Sequence, residues 1–237
     1  MEKFVKEVQT IKADKVLDVA TGRGEFITFL RENLKEYSEI TGIDSDAKVL
    51  EIAREQFQNS DVFFKNMEVE KIDYEDRNFG VVSISNSLHH LKNLDRAFAE
   101  IHRVLKPSGY ILINEMISDG NQSASQKNHI AVHHWAAAIE RKRGKFHSET
   151  FSKAEVKKII LDQKIQNPQI YEYSHRIKNP KDEKLIGNLT SKIDQFIQIL
   201  SKQKNADRLI EQGKKIKRDI EEFGFASARS LFIISRM

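Results

Sequence analysis

The stretch Val16-Leu-Asp-Val-Ala-Thr-Gly-Arg-Gly-Glu-Phe26, followed a short helix later by Thr41-Gly-Ile-Asp44, decides how this chain is read. One apolar run of the buried type ends in a glycine-bearing turn, and a second ends in a lone aspartate. Gly22 and Gly24 let the backbone approach a ligand where a Cβ would collide. In a dinucleotide fold such a turn offers helix N-terminal amides to a pyrophosphate. Here Asp18 stands just before the turn, and its carboxylate would repel a pyrophosphate. Asp44, 20 residues after Gly24, is placed to accept hydrogen bonds from both hydroxyls of a ribose. The alternative for Asp44 is a helix cap in the Asp44-Ser-Asp46 turn. Together the two runs suit an adenosine-bearing ligand.

Working outward, apolar runs alternate with helical patterns through residue 116. Strands are expected at Lys15–Val19, Glu39–Ile43, Asp61–Lys65, Phe79–Ser85 and Gly109–Glu115. Helices are expected at Phe26–Leu34, Ala47–Gln56 and Leu94–Val104. That alternation implies βαβ units and a parallel sheet, hence an α/β fold. Asp46 caps one helix and Asn93 or Asp95 another, while Lys106-Pro-Ser-Gly109 turns the chain into the next strand. Beyond Glu115 the pattern changes. Residues 118–128 read as polar and turn-like, and His129–Arg143 as a helix. Ser152–Asp162 reads as a helix with a capping box, and Gln169–Tyr173 as a strand. Asp182–Phe223 reads as two lysine-rich helices broken near Asn205 or Gly213, and Arg229–Ile234 as a closing strand.

The 237 residues, 39% of them hydrophobic, suffice for one α/β domain with an insertion. The absence of cysteine excludes disulfides and thiolate metal sites and suits a cytoplasmic protein. Neither a signal peptide nor a membrane span is expected. A net charge of +4 and a pI near 9.0 are mildly basic, and lysines spread along helices usually serve solvation, so nucleic acid is not the expected partner. A dinucleotide fingerprint counted from Gly22 would place Ile27 at its third glycine, which argues against NAD(P).

Five features in order resemble the cofactor site of class I S-adenosylmethionine (SAM) dependent methyltransferases, of the small-molecule type: the turn after the first strand, Asp44, Asn66-Met67, Ser83–Leu91, and His102-Arg-Val-Leu-Lys-Pro-Ser-Gly109, where that family typically has RVLKPGG. The resemblance covers residues 15–116 well and the closing strand loosely. It implies a Rossmann-like seven-stranded sheet of order 3-2-1-4-5-7-6 with the last strand antiparallel. It implies SAM as cofactor, with Asp18 helping to position the methionine ammonium, directly or through water. Ala20, Gly22 and Gly24 would pass beneath the ligand, Ala20 replacing the family's first glycine. Asp44 and Ser45 would lie at the ribose, Asn66 at the adenine amine, the Met67 amide at a ring nitrogen, and Ser85 and Asn86 beside the methionine. His89 and His90 begin the following helix. No proline follows Ser85-Asn86-Ser87-Leu88, unlike enzymes acting on base amines, so the acceptor implied is a small molecule. An RNA methyltransferase and a non-catalytic SAM-binding protein are the alternatives.

A single domain, 1–237, is expected to contain two individual segments. Residues 117–150 would line the acceptor pocket and residues 178–222 would form a helical lid or a homodimer contact. On a helix His129, His133, Ala136 and Glu140 share a face, and Trp135 and Ile139 another. His133, His147, His129 and Glu140 are therefore the catalytic candidates, as a pocket wall that includes a general base. A metal is not expected as a cofactor. The alternative roles are a divalent metal on His129, His133 and Glu140 or His147, or a hydrogen-bonded structural set.

Overall fold

The computed structural model describes residues 2–58, 60–174 and 179–237. Its elements run α1 (Glu2–Val8), β1 (Lys15–Val19), α2 (Glu25–Asn33), β2 (Glu39–Asp44), α3 (Ala47–Gln56), β3 (Val62–Asn66), β4 (Phe79–Ser85), a 3-10 turn (Leu88–His90), α4 (Leu94–Val104), β5 (Leu105–Met116), α5 (Ala124–Lys142), α6 (Lys153–Asp162), β6 (Gln169–Tyr173), α7 (Glu183–Leu200), α8 (Asp207–Phe223) and β7 (Ser230–Arg236). The strands form one sheet of order β3-β2-β1-β4-β5-β7-β6, and β1 to β5 pair in parallel. Met237 N donates to Gly109 O and Ile117 N to Arg229 O, a register that runs β7 antiparallel to β5.

The chain divides into two compact units. A sheet unit comprises 1–115, 157–172 and 231–237; a helical unit comprises 116–156 and 173–230. Both individual segments expected from the sequence, 117–150 and 178–222, fall in the helical unit, with Lys178 outside the described residues.

In the sheet unit the central strands are near-continuous apolar runs, as a sheet covered on both faces requires. Leu17, Ile40, Val82 and Leu112 are fully buried. The covering helices show why they form: α4 buries Ala97, Phe98, Ile101 and Val104 on one face, and Asn93 caps it by accepting from Arg96 N at 3.0 Å. α1 was not expected from the sequence. It buries Phe4, whose ring packs 5.8 Å from Phe29 and 4.9 Å from Phe232. Lys106–Gly109 does not separate helix from strand as a simple turn. The sheet register shifts there, from Phe79 opposite Leu105 to Val81 opposite Tyr110, so the segment is a bulge within β5. Ser108 takes the left-handed conformation in it, φ +63°.

In the helical unit, α5 starts five residues before the expected His129. Ser123 and Gln126 form a capping box, and Gln126 and Asn128 are buried polar residues. Asn128 donates to the carbonyls of Asp219 and Gly224 at 2.9 and 2.8 Å. A buried face satisfied by amide hydrogen bonds carries no apolar periodicity, which is why it read as a turn. The break between α7 and α8 lies at 201–206, where Asn205 has φ +55°. Gly213 is not a break; it sits inside α8, where a Cβ would lie 2.6 Å from Cζ2 of Trp135. Trp135, Ile139, Ile193, Leu200, Ile216 and Ile220 form this unit's core.

Candidate functional site

At the C-terminal edge of β1 the chain makes the turn Ala20–Gly24. Ala20, Gly22 and Gly24 all take positive φ, at +50°, +56° and +80°. Strained backbone of this kind gathers at ligand sites. A Cβ on Gly24 would strike Phe57 at 2.6 Å, so that glycine is required by packing. A Cβ on Gly22 would meet nothing within 4 Å. The turn therefore presents bare backbone to open space beside the N-terminus of α2, where unsatisfied amides favour a polar ligand.

Asp18 lies beneath this turn and is 1% exposed. Its Oδ2 accepts from Thr21 Oγ1 and its Oδ1 from Ser83 Oγ, both at 2.6 Å. Burial pushes its carboxyl up to about 6 against the lowering effect of those two hydroxyls, and the Asp44 charge adds to the rise. The carboxylate expected to reach toward a ligand thus first ties β1, the turn and β4 together. Thr21 and Ser83 were not singled out from the sequence; the only signal for Ser83 was a hydroxyl inside a largely apolar strand, and Thr21 lies within the glycine-bearing turn.

Asp44 ends β2, and both its oxygens are held. Oδ2 accepts from Gly22 N at 2.9 Å, and Oδ1 from Asp46 N at 2.9 Å. The helix cap is Asp46 itself, which accepts from Lys48 N, so capping does not account for Asp44. Each carboxylate oxygen retains capacity for a second hydrogen bond. Ser45, next to it, is exposed. At the end of β3, Asn66 Nδ2 donates to Asp44 O at 2.9 Å, which turns its Oδ1 into the accepting end. The Met67 amide, expected to meet a ring nitrogen, donates instead to Asp44 O at 2.9 Å and closes the β2–β3 edge.

The loop after β4 is held from both sides. Asn86 N donates to Asn114 O at 2.7 Å, Asn114 Nδ2 to Ser85 Oγ at 3.0 Å, and Ser87 Oγ to Ala20 O at 3.2 Å. Asn86 has φ +48°. His89 and His90 lie in a 3-10 turn rather than opening a helix. Glu115, another residue that sequence reasoning passed over, accepts from Leu88 N at 3.0 Å and lies 2.6 Å from His89 Nδ1. Both side chains of that pair are fully buried. A buried carboxylate needs such partners.

In the helical unit the candidate residues separate. His147 is 4% exposed, and Glu140 Oε2 lies 2.9 Å from its Nδ1. His133 meets the His147 ring edge to face, centroids 5.1 Å apart. His129 is elsewhere in the unit: its Nδ1 accepts from Ala228 N at 3.0 Å and its ring packs against Phe225. The structure thus brings His133, Glu140 and His147 together and gives His129 a structural contact. The lysines of α8 do not form a basic face: Lys214, Lys215 and Lys217 pair with Glu211, Asp219 and Asp194 at 2.5 to 2.8 Å. Among the described residues, no helix is long and apolar enough to cross a membrane.

Comparison with known proteins fits this geometry. Residues 17–113 match a family model described as a methyltransferase domain. Demethylmenaquinone methyltransferase of Chlorobaculum tepidum is 33% identical over 114 residues, 48% of this chain and 46% of that protein. The ubiquinone/menaquinone biosynthesis C-methyltransferase UbiE of Paraburkholderia phymatum is 32% identical over 103 residues, 43% of this chain and 42% of that protein. The matched stretch thus spans somewhat less than half the length of these curated relatives. Among solved structures, YcgJ of Bacillus subtilis aligns with TM-score 0.60 at 17% identity, over 99% of this chain and 96% of that one. Phosphoethanolamine N-methyltransferase 2 of Haemonchus contortus, solved with S-adenosylhomocysteine, aligns with TM-score 0.58 at 16% identity, over 99% of this chain and 51% of that one. These two likenesses are of fold.

Proposed function

We propose that this chain is a class I SAM-dependent methyltransferase, and that it transfers a methyl group from SAM to a small-molecule acceptor and releases S-adenosylhomocysteine. The observation that carries the reading is Asp44. Its carboxylate is fixed at the edge of the sheet by Gly22 N and Asp46 N, with accepting capacity left for a pair of ribose hydroxyls. The other residues fit the same ligand. Ala20, Gly22 and Gly24 supply the turn beneath it, Ser45 lies next to Asp44, and Asn66 offers Oδ1 to an amine. Ser85 and Asn86 belong to the braced loop after β4. Asp18 shapes the turn from below, and Met67 contributes by closing the edge beside Asp44.

When bound, SAM supplies a methyl group already activated on a sulfonium. The protein's part is alignment of an acceptor atom with that methyl. A small-molecule acceptor is supported by the relatives, which are named for quinone intermediates, and by Ser85-Asn86-Ser87-Leu88, which lacks prolines. We place the protein in the cytoplasm on its cysteine-free composition. For residues 178–222, lid and homodimer contact are both kept as readings; a solution mass twice that of the chain selects the second.

The test is isothermal titration with S-adenosylhomocysteine. Wild type is expected to bind at one site. Asp44→Ala removes the acceptor of two hydroxyls, each charge-assisted bond being worth about 1.5–3 kcal/mol, and should weaken binding at least tenfold. Equal affinity in the two proteins overturns the assignment of Asp44. Binding in wild type with no methyl transfer across a panel of phenolic, amine and carbon-acid acceptors would select the non-catalytic reading.

A further inference from the structure

We propose that His133 and His147 form a binding site for a divalent transition-metal ion within the helical unit, with Glu140 orienting His147. This is an addition to the sequence reading, which expected no metal. The inference does not depend on methyl transfer.

The geometry starts on α5. His133 and Glu140 are two helical turns apart and project from one face. The opposite face carries Trp135 and Ile139 into the unit's core, which makes the helix a rigid support. After α5 the chain reverses at Gly144, φ +80°, and folds back along the helix. Two hydrogen bonds hold this return: Lys145 N to Glu140 O at 3.1 Å, and Arg141 Nη1 to His147 O at 2.7 Å. His147 is thereby buried although it lies outside any helix or strand.

The chemistry follows from the partner of His147. An ionised carboxylate only accepts hydrogen bonds, so Glu140 Oε2 at 2.9 Å keeps the proton on Nδ1 and the lone pair on Nε2. A metal-binding imidazole characteristically donates its other ring N–H to a carboxylate or a carbonyl, which fixes the ring and raises its basicity. His133 supplies the second imidazole. The rings meet at 84°, and nitrogens of the two residues lie within 4.8 Å of each other. Two nitrogens bound to one ion at about 2.0–2.1 Å each stand no more than about 4 Å apart, so only a small adjustment closes the pair on a metal. Imidazole donors suit zinc, nickel, iron or cobalt rather than magnesium or calcium.

Two other histidines of the helical unit are assigned elsewhere. His129 Nδ1 accepts from Ala228 N. His134 Nε2 lies 2.7 Å from Thr150 Oγ1, and its Nδ1 lies 3.6 Å from Glu149. Of the four residues first considered as ligands, two remain as donors, Glu140 becomes the orienting group, and His129 drops out.

The test uses the full chain, stripped by chelator and titrated with Co(II), read by native mass spectrometry and visible d–d absorption. Wild type should take up one ion per chain with the absorption of an imidazole-bound centre. His133→Ala and His147→Ala should each lose at least tenfold in affinity, and Glu140→Gln about 10–100-fold, the cost of removing such a partner. His129→Ala should bind as wild type does. No uptake by wild type at excess Co(II), or unchanged affinity in both His133→Ala and His147→Ala, overturns the site. If His147→Ala does not fold, as circular dichroism will show, the near-isosteric Glu140→Gln decides: unchanged affinity there refutes the orienting role. S-adenosylhomocysteine binding by the same samples reports on the cofactor site separately.

Discussion

The turn after β1 rests on a few atoms, and Asp18 shows how much they do. Its carboxyl is raised to about 6, chiefly by burial. Between about pH 4 and pH 6 the folded protein therefore holds a proton that the unfolded chain has released. Stability falls as pH rises through that window, the reverse of the usual carboxylate. Asp18→Asn is expected to flatten that part of the pH dependence and to be no less stable than wild type at pH 7. Thermal unfolding of both proteins from pH 4 to 7 checks it, and a parallel slope in the variant would contradict it. At the same scale, Asp44 was legible as a lone carboxylate ending an apolar run, and Asn66 from its place after the third strand. Thr21, Ser83 and Glu115 were not legible. Ser83 and Glu115 have partners 65 and 26 residues away, whose pairing exists only once the strands are side by side, and Thr21 reaches back three residues across a turn whose shape the sequence does not display.

At the scale of elements, strands β1 to β4 and helices α3 and α4 stood within a residue of where the apolar periods put them, because burial on a sheet imposes those periods directly. The misses have separate causes. α1 is seven residues long and held by Phe4 and Val8, too short for a period to show. The first turn of α5 buries amides instead of hydrocarbons. Gly213 reads as a helix breaker, yet it sits inside α8 where any Cβ would strike Trp135. Helix propensity alone would make Gly213→Ala stabilising by about 1 kcal/mol. The 2.6 Å approach to Trp135 reverses the sign, and a net loss of about 1–3 kcal/mol is expected from overpacking. Urea unfolding measures it, and a gain in stability would show that α8 yields more easily than its packing implies. Ser123→Ala, which removes the cap of α5, should cost about 1 kcal/mol in the same assay.

At the scale of the whole molecule, the sheet order matches the expectation drawn from the resemblance over residues 15–116, and the order of the cofactor-site features along the chain already implied it. The division into two compact units was not legible, since each unit is assembled from segments that are not contiguous in sequence. The mildly basic charge also reads differently in three dimensions. With the α8 lysines paired to carboxylates, RNA retention at moderate salt is expected to be weak, and strong, salt-sensitive retention would contradict that. Everything proposed about activity depends on whether the edge of the sheet holds an adenosine through Asp44. The most direct measurement is S-adenosylhomocysteine binding by calorimetry, on wild type and Asp44→Ala side by side. One-site binding that falls at least tenfold in the variant is the predicted result; no binding by wild type at saturating ligand, or binding indifferent to Asp44, would contradict the account.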